Sequence, residues 1–317
     1  MRVIRNRPGQ VSSRHGGGPA VAIGNFDGMH LGHQALLQRC RALAGHAGAV
    51  ALICFEPLPQ AFFRPEGAPP RLSTIYQKLA FLRSMGVDAV WLMRFDASLA
   101  RLSAVHFVEQ VLADGLGARH VVVGADFRFG RGREGDMDLL QRLGGELGFE
   151  ASIVAAVEVG QQRVSSTAIR SALADGDCAL AARMLGRPFR MEGYVVRGRQ
   201  LGRRLGYPTA NIRVRALPCP LRGVFAVYAR HSGGPWMPAV SSLGLRPTVG
   251  GTEWLLEVHL FDYRQDLYGQ RLEVQFVAKL RDEEQFDSIN QLVIQMRQDE
   301  GAARMVLQTN PINQNPA

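Results

Sequence analysis

The sequence contains no long hydrophobic run. None of its apolar stretches approaches the roughly 20 residues that a membrane-spanning helix requires. The N-terminus, MRVIRNRPGQ, is basic but has no apolar segment behind it, so we expect no secretory signal. We therefore expect a cytoplasmic protein that has no membrane partner.

Cysteine is scarce and shows no paired spacing. The cysteines lie far apart along the chain and form no CxxC pair; they are Cys40, Cys54, Cys178 and Cys219. Isolated cysteines of this kind are mostly buried thiols in a reducing cytoplasm, and we expect that state here.

The chain also lacks a block of like charge, although it is basic overall. Its formal net charge is +9, and the arginines are scattered rather than gathered into one tract. This distribution favours anionic small molecules such as ATP over a nucleic-acid surface, so we expect no nucleic-acid partner. The hydrophobic share of 46% is ordinary for a globular protein, and 317 residues are enough for two domains.

The first part of the chain alternates between strand and helix patterns. A polar, Gly-rich lead-in with one short edge strand is expected over residues 1–19. Apolar runs at βα spacing then follow at Ala20 to Ile23, Val50 to Phe55, Val87 to Met93, His120 to Gly124 and Ala151 to Val157. Helical patterns lie between them at Tyr76 to Met85, Ser103 to Gly115 and Met137 to Leu147. The alternation predicts an α/β, Rossmann-like domain with a parallel sheet, whose ligands bind beyond the carboxyl ends of the strands.

The pattern changes near residue 186. Short strands separated by Gly and Pro turns follow at Met191 to Val196, Val224 to Ala229, Trp236 to Ser241, Trp254 to Phe261 and Leu272 to Val277. A final helix is predicted over Glu284 to Asp299, because its apolar residues recur at helical spacing. We therefore predict an α/β domain over residues 1–185 and a six-stranded antiparallel β-barrel with a terminal helix over 186–308. The tail over 309–317 is expected to be disordered.

The segment from Gly24 to His33, GNFDGMHLGH, joins the first strand to the first helix. Its glycines permit a tight turn, and His30 and His33 share one face of the first helical turn, with room left by Gly32. Two imidazoles and a set of free amide donors suit the charge on phosphate oxygens during nucleotidyl transfer. A surface histidine pair or a zinc site is the alternative, but Asp27 is the one further ligand that the segment offers.

A second segment, GADFRFG, follows the strand that ends at Gly124. Asp126 can accept hydrogen bonds from a ring or a hydroxyl. Phe127 and Phe129 have the shape to sandwich a flat ligand, and the charges of Arg128 and Arg131 suit phosphate. The alternative is a loop whose two phenylalanines pack into the core.

A third segment, RVSSTAIR, has hydroxyl residues at a predicted helix start. Ser165 or Ser166 could act only as an N-cap. The flanking Arg163 and Arg170 favour an anion site, which would complete a clamp on a triphosphate together with the histidine pair.

The barrel half carries a separate group of candidate residues. The stretch GYVVRGRQLGRRLGYPTAN is Gly-rich but lacks the Gly-Lys-Ser/Thr ending of a P-loop. Pro208 stiffens the turn that presents Thr209 and Asn211, whose oxygens suit a Mg²⁺ ion bridging ATP phosphates. Strand alternation predicts Glu257 on the same face as His259, where a carboxylate could accept a proton from a hydroxyl. An exposed, purely structural glutamate is the alternative.

These motifs together resemble the bacterial bifunctional riboflavin kinase/FAD synthetase family. The resemblance runs from about Ala20 to about Gly301 and rests on GNFDGMHLGH, GADFRFG, RVSSTAIR, GRQLGRRLGYPTANI, SLGLRPTVGG and LLEVHLFDYRQDLYG, in family order. It implies that the barrel phosphorylates riboflavin to FMN with MgATP. It further implies that the N-terminal domain transfers AMP from ATP to FMN, which yields FAD and pyrophosphate. Riboflavin, FMN, FAD and ATP are thus the expected partners.

The resemblance also implies roles for individual residues. His30 and His33 would stabilise the ATP phosphates of the transferase. The nucleotide there would be bound by Gly24, Asn25, Phe26, Asp27, Gly28, Arg163, Ser166, Thr167 and Arg170. The flavin would meet Asp126, Phe127 and Phe129, although many relatives carry asparagine at the Asp126 position.

In the kinase, the resemblance assigns Mg²⁺ and nucleotide to Thr209 and Asn211, and the base for the riboflavin 5′-hydroxyl to Glu257. Its other nucleotide-binding residues would be Gly198, Gly202 and Pro208. The sequence Ser242-Leu243-Gly244 departs from the family's usual Asn-Ile-Gly, for which we expect a local packing change only.

Two other functions compete with this interpretation. A nucleotidyltransferase for another acceptor, such as phosphopantetheine or a pyridine mononucleotide, would share the Gly24–His33 segment but has no need of the barrel motifs. A basic nucleic-acid-binding module or a flavin-responsive regulator has only the net charge of +9 in its favour.

Overall fold

The computed structural model describes residues 1–5, 18–198, 202, 205–214, 219–248 and 251–312, with the backbone alone for 246–248 and 251–253. The chain divides into two compact units. The first comprises Met1–Pro69 with Ser73–Ser166, and the second comprises Pro70–Leu72 with Thr167–Ala317. The predicted functional boundary near residue 186 stays a prediction, because a grouping by packing does not locate it.

The first unit is built on one sheet of parallel strands. The strands are β1 (Arg2–Ile4), β2 (Ala20–Ile23), β3 (Val50–Glu56), β4 (Ala89–Arg94), β5 (His120–Gly124) and β6 (Glu150–Val154). They lie in the order β1-β4-β3-β2-β5-β6, and every neighbouring pair is parallel. The predicted α/β class, including the short edge strand at the N-terminus, is confirmed.

Helices surround this sheet. They are α1 (Leu31–Ala44), α2 (Pro59–Phe63), α3 (Ile75–Ser84), α4 (Ala97–Ala100), α5 (Ala104–Phe107), which continues as a π-helix over Val108–Ala113, and α6 (Met137–Leu147). Along β2, Val21 and Ile23 join one hydrophobic cluster, whereas Ala20 and Ala22 join another. Because both faces of the sheet are covered, the sequence of β2 is a continuous apolar run.

The strand order reverses direction between β2 and β5. The chain proceeds from β2 through β3 to β4 on one side, and from β5 to β6 on the other. A crevice opens at such a switch point, outside the carboxyl ends of the two strands. The segments Gly24–His33 and Gly124–Gly130 follow β2 and β5, so the topology brings these two predicted motifs to one crevice.

A small hairpin of β7 (Glu158–Val159) and β8 (Gln162–Arg163) leads to α7 (Ser166–Ala174) and then α8 (Cys178–Leu185). The barrel follows, with strands β9 (Arg190–Val196), β10 (Ala210–Arg213), β11 (Gly223–His231), β12 (Met237–Thr248), β13 (Gly251–Leu260) and β14 (Arg271–Arg281). It closes in the antiparallel order β10-β13-β12-β11-β14-β9, which confirms the predicted six-stranded barrel. Strand β10 carries no periodic apolar signal of its own and is defined by its pairing with β13.

The terminal helix α9 spans Ile289–Thr309, so it begins and ends later than the predicted Glu284 to Asp299. Its start is fixed by Ser288, whose side chain accepts from the Gln291 amide. Its end packs on the barrel through Leu307, and the Tyr228 hydroxyl donates to the Leu307 carbonyl at 3.0 Å. This packing accounts for the extra turns. Within the predicted tail, residues 313–317 lie outside the described residues.

The expected state of the cysteines is confirmed, because all four are buried and free. Burial raises the pKa of the Cys40 and Cys178 thiols to about 12 and that of Cys54 and Cys219 to about 11, so they stay protonated at neutral pH. In the part of the chain that the structure describes, no helix is both long and apolar enough to cross a bilayer.

The ion pair between Arg281 and Asp299 gives a test of the contact between barrel and terminal helix. Arg281 Nε and Nη2 each donate to the Asp299 carboxylate at 2.8 Å, and the two side chains are 19% and 10% exposed. We expect Asp299→Ala to lower the free energy of unfolding by about 2–3 kcal/mol, because it leaves a mostly buried guanidinium without its counter-charge. Urea unfolding followed by tryptophan fluorescence measures this change. Asp282→Asn, which removes the exposed partner of Lys279, should leave the midpoint unchanged.

Candidate active sites

The turn between β2 and α1 is wound through the left-handed region of backbone conformation. Gly28 has φ +77°, but Phe26 at +50° and Met29 at +48° adopt the same region with large side chains that are fully buried. Such residues cost conformational energy and persist only where packing holds them. Gly24 serves packing rather than a left-handed turn, because a Cβ there would lie 3.3 Å from the Phe26 ring.

Buried polar contacts hold this turn in place. The Asp27 carboxylate accepts from the Ser73 amide at 3.2 Å, and the Ser73 hydroxyl accepts from the Gly28 amide at 3.1 Å. The Lys78 ammonium, which is also buried, donates to the Asn25 carbonyl at 2.9 Å. The Asp27 side chain is therefore committed to the turn. Among the described residues, no group of three or more His, Cys, Asp or Glu could hold a metal ion, which leaves the zinc alternative without support.

The two histidines form one stacked unit at the start of α1. His30 is the N-cap, and its Nδ1 accepts from the His33 amide at 3.3 Å. The two imidazole rings stack with centroids 3.6 Å apart and an interplanar angle of 19°. A Cβ on Gly32 would lie 3.2 Å from the His30 ring, so the space that Gly32 leaves is filled by His30 itself.

The RVSSTAIR segment meets this turn. The β7–β8 hairpin ends at Arg163, and the helix start follows at Ser166, whose hydroxyl donates to the Asp27 carbonyl at 3.0 Å. Arg163 Nη2 lies 2.9 Å from Asp126 Oδ2 in an exposed ion pair. Three motifs that are up to 139 residues apart in sequence thus converge within the first unit.

A cavity of about 870 Å³ lies at this convergence. Of the predicted transferase residues, it is lined by Gly24, Asn25, His30, His33, Asp126, Phe127, Phe129, Arg163 and Ser166. Phe26, Asp27 and Gly28 are buried in the turn beneath and do not line it. Thr167 and Arg170 belong to the second unit, where Arg170 Nε donates to the Pro70 carbonyl.

The GADFRFG segment packs differently from its predicted sandwich. Phe127 and Phe129 stack on each other, with centroids 5.3 Å apart and an interplanar angle of 17°. No flat ligand fits between rings in direct contact, so the sandwich prediction is wrong, although both rings line the cavity. Arg131 does not line the cavity, so its predicted contact with phosphate has no support in the structure. Arg128 does line the cavity and is paired with Asp136 at 2.9 Å, and its predicted contact stays a prediction.

Sequence reasoning missed an aromatic wall on the opposite side of the switch point. Phe55, Phe63 and Phe95 line the cavity, and Phe95 packs edge-on against each of the other two, with centroids 5.8 and 5.7 Å away. Phe55 and Phe95 lie at the carboxyl ends of β3 and β4, where ligand-binding residues of parallel sheets collect. That position was the available signal. Phe63 is 63% exposed, an unusual state for a phenylalanine.

The barrel brings the kinase candidates together through strand register. Asn211 on β10 lies directly opposite Glu257 on β13. Leu256 and Val258 are fully buried, so the intervening Glu257 lies on the outer face with His259, as the alternation predicted. His259 Nδ1 lies 2.8 Å from the Pro208 carbonyl, which anchors the turn that precedes β10.

Two glycines at this corner admit groups that a side chain would displace. A Cβ on Gly198 would lie 2.5 Å from the Asn211 amide group, and one on Gly202 would lie 2.3 Å from the Tyr207 carbonyl oxygen. Gly202 also accepts from the Tyr207 amide at 2.8 Å. Gly198 thus admits the Asn211 side chain, and Gly202 admits the turn that precedes Thr209.

Ser242, where the sequence departs from the family's usual Asn-Ile-Gly, lies in register with Glu257 and Asn211. Ser242 on β12 is opposite Glu257 on β13, and its hydroxyl donates to Glu283 at 3.4 Å. Glu283 also pairs with Arg222 at 3.3 Å and lies over Gly244. The expected packing change at this position stays a prediction.

Comparisons with known proteins give two matches along the chain. An FAD synthetase family model matches residues 13–168, and a riboflavin kinase model matches residues 185–307. The bifunctional riboflavin kinase/FMN adenylyltransferase of Pseudomonas fluorescens is 46% identical over 289 residues, which cover 90% of this chain and 92% of that protein. The Escherichia coli K12 protein of the same name is 44% identical, with the same coverage. A Streptococcus pneumoniae structure described as a macrolide-efflux protein superposes with a TM-score of 0.83 at 30% identity, covering 96% of this chain and 99% of that one.

The buried contacts beneath the histidine pair yield a test. Ser73→Ala removes the acceptor of the Gly28 amide and one donor to Asp27. We expect it to lower the free energy of unfolding by about 1–3 kcal/mol, because buried polar groups lose their partners. Hydrogen exchange of the Gly28 amide should accelerate about tenfold or more for the same reason. Ser84→Ala removes an exposed hydroxyl that donates to the Phe81 carbonyl and should change neither quantity.

Proposed function

The chain belongs to the bifunctional riboflavin kinase/FMN adenylyltransferase family, and we propose that its two candidate sites divide the two activities. The N-terminal FAD synthetase domain transfers AMP from ATP to FMN, and the C-terminal riboflavin kinase domain phosphorylates riboflavin with ATP. We assign the first reaction to the cavity that the histidine pair lines. We assign the second to the barrel corner around Asn211 and Glu257.

In the transferase, the FMN phosphate attacks the α-phosphorus of ATP, and the bond to the pyrophosphate leaving group breaks. The His30 Nδ1 accepts from the His33 amide, so the proton of a neutral ring sits on Nε2. That N–H group would donate to a phosphate oxygen, with His33 stacked against it. Arg163 and Ser166 would neutralise and bind the phosphates from the hairpin side. No covalent protein intermediate is required, because positioning and charge neutralisation suffice.

In the kinase, the riboflavin 5′-hydroxyl attacks the γ-phosphorus of ATP and ADP leaves. Glu257 would accept the hydroxyl proton, and the register that sets it opposite Asn211 supports this role. Mg²⁺, when bound, would supply charge neutralisation of the ATP phosphates. Thr209 and Asn211 would hold it through neutral oxygens, and Gly198 admits the Asn211 side chain at this position.

We further propose that the transferase domain spans residues 1–185, that the kinase domain spans 186–308, and that the enzyme works in the cytoplasm. The two family matches support the domain ranges, since the second one starts next to the proposed boundary. The buried, protonated cysteines fit a reducing compartment.

The stacked His30–His33 pair lining a cavity with Arg163 and Ser166 is the observation that carries the transferase assignment. Product analysis after incubation with riboflavin and MgATP tests the whole proposal: both FMN and FAD should form. Failure to make FMN would contradict the kinase assignment. Salt-dependent binding to RNA or DNA without FAD formation would favour the nucleic-acid-binding alternative instead.

Single substitutions should separate the two activities. His30→Ala should lower FAD formation from FMN about 100-fold or more and leave FMN formation unchanged, because it removes a donor to the transferred phosphate. Glu257→Gln should do the reverse by removing the base. Chromatography of flavin products measures both, and His46→Ala, at an exposed histidine beyond α1, is the matched control. A folded variant that lost both activities would contradict the two-site assignment.

A further inference from the structure

Four arginines line the transferase cavity, and they differ in their ionic partners. Arg163 is paired with Asp126, and Arg128 is paired with Asp136. Within the described part of the chain, the other two, Arg64 and Arg133, form no ion pair and no side-chain hydrogen bond. A guanidinium group that lines a cavity without a carboxylate partner is suited to an anion supplied by a ligand.

Arg133 differs from Arg64 in its backbone. Arg133 has φ +64°, in the left-handed region where a residue with a Cβ is disfavoured, and Gly132 before it has φ +62°. Glycine would adopt this conformation without strain. The chain instead carries a large cationic side chain here, which indicates a role for that side chain rather than for the turn.

The surrounding contacts hold the turn firmly. Phe129 and Gly135 exchange backbone hydrogen bonds of 2.9 and 3.1 Å across its base. The Arg131 amide donates to the Leu102 carbonyl at 2.8 Å, and the Glu134 carboxylate accepts from the Ala104 amide at 2.8 Å. The backbone of the turn that carries Arg133 is therefore held by the fold itself.

The charge of Arg133 and its neighbours in the cavity indicate which group of the ligand it binds. Arg133 lines the cavity together with Leu102, Phe107, Phe127 and Phe129, and it follows the segment Gly124–Gly130 that the resemblance expects to meet the flavin. The four neighbours are apolar and suit the uncharged isoalloxazine ring. The histidine pair lies at the start of α1, Arg163 ends the hairpin and Ser166 begins α7, and we assign this group to the triphosphate. The remaining anion of the reaction is the phosphate of FMN, which carries nearly two negative charges at pH 7.

We propose that Arg133 binds the 5′-phosphate of FMN and thereby selects the phosphorylated flavin in the transferase cavity. Its guanidinium donates to the phosphate oxygens and does not take part in the bond changes. The inference rests on the proposed assignment of the transferase reaction to this cavity. The sequence analysis expected phosphate contacts from Arg128 and Arg131, and the proposal adds a neighbouring arginine to which that analysis gave no role.

Arg133→Gly is the decisive variant, because glycine keeps the backbone conformation and removes the side chain. We expect the KM for FMN in FAD formation to rise at least tenfold, since a charge-assisted hydrogen bond to phosphate is lost. The KM for ATP and the kcat should stay within about twofold, because the contact is the same in ground and transition states. The melting temperature should stay within about 2 °C of the parent, since relief of strain offsets the freer unfolded chain.

Three further measurements make the test specific. Lumichrome, an alloxazine that has the dimethylated tricyclic framework of the flavin but no ribityl phosphate, should inhibit parent and Arg133→Gly with an equal Ki. Arg133→Lys should give an intermediate KM for FMN, since it keeps the charge but loses the planar fork. Arg131→Gln removes the same charge from the same turn outside the cavity and should leave every constant unchanged.

The remaining outcomes overturn the proposal. An unchanged KM for FMN in active Arg133→Gly would show that the side chain does not bind FMN. A raised KM for ATP alone would assign it to the triphosphate, and a Ki for lumichrome that rises in parallel would assign it to the ring. His30→Ala distinguishes a failure of the Arg133 proposal from a failure of the transferase assignment. If His30→Ala also left FAD formation intact, the cavity itself would be wrongly assigned.

Discussion

The proposed transferase site depends on a short turn that is held in an unfavourable backbone conformation. Phe26 and Met29 occupy the left-handed region with fully buried side chains, and the Asp27–Ser73–Gly28 hydrogen bonds close the turn from below. This winding sets where α1 begins, and His30 becomes its N-cap. The stacking of the two imidazoles follows, because both side chains leave the first turn of the helix on one face. The packing around the turn thus compensates for the backbone strain, and the strained turn places the two histidines.

The barrel positions its candidate residues through hydrogen-bond register rather than through a strained turn. Hydrogen-bond register aligns Asn211, Glu257 and Ser242 in one row across β10, β13 and β12. The pleat sends the alternate residues of β13 into the core, which leaves Glu257 on the outer face without any strained backbone. A slip of one residue would bury the carboxylate and expose Leu256, so the apolar interior stabilises the register of Glu257 as well as the fold.

Two of the arginines that line the cavity are paired with carboxylates. The Asp126 carboxylate holds Arg163, and Asp136 holds Arg128. The side chains of Arg163 and Asp126 are 51% and 72% exposed, so solvent screens their attraction and a phosphate can displace the carboxylate at low energetic cost. The charge of the Asp126 side chain thus orients Arg163 near the cavity, which the uncharged amide of an asparagine would do less firmly.

The sequence alone was sufficient for the fold class, the two sets of motifs and the family resemblance. Those features depend on local properties: hydrophobic periodicity, glycine at tight turns and the order of short segments. The sequence did not show which side chains are neighbours in three dimensions. Phe127 and Phe129 stack on each other, and Arg133 rather than Arg131 lines the cavity, because the loop is docked against Leu102 and Ala104 from a distant part of the chain. The aromatic wall of Phe55, Phe63 and Phe95 forms only when β3 and β4 lie side by side. Spacing along the chain indicated the candidate motifs, and long-range packing decided which side chains line the cavity, since the direction of a loop is set by contacts that no local pattern encodes.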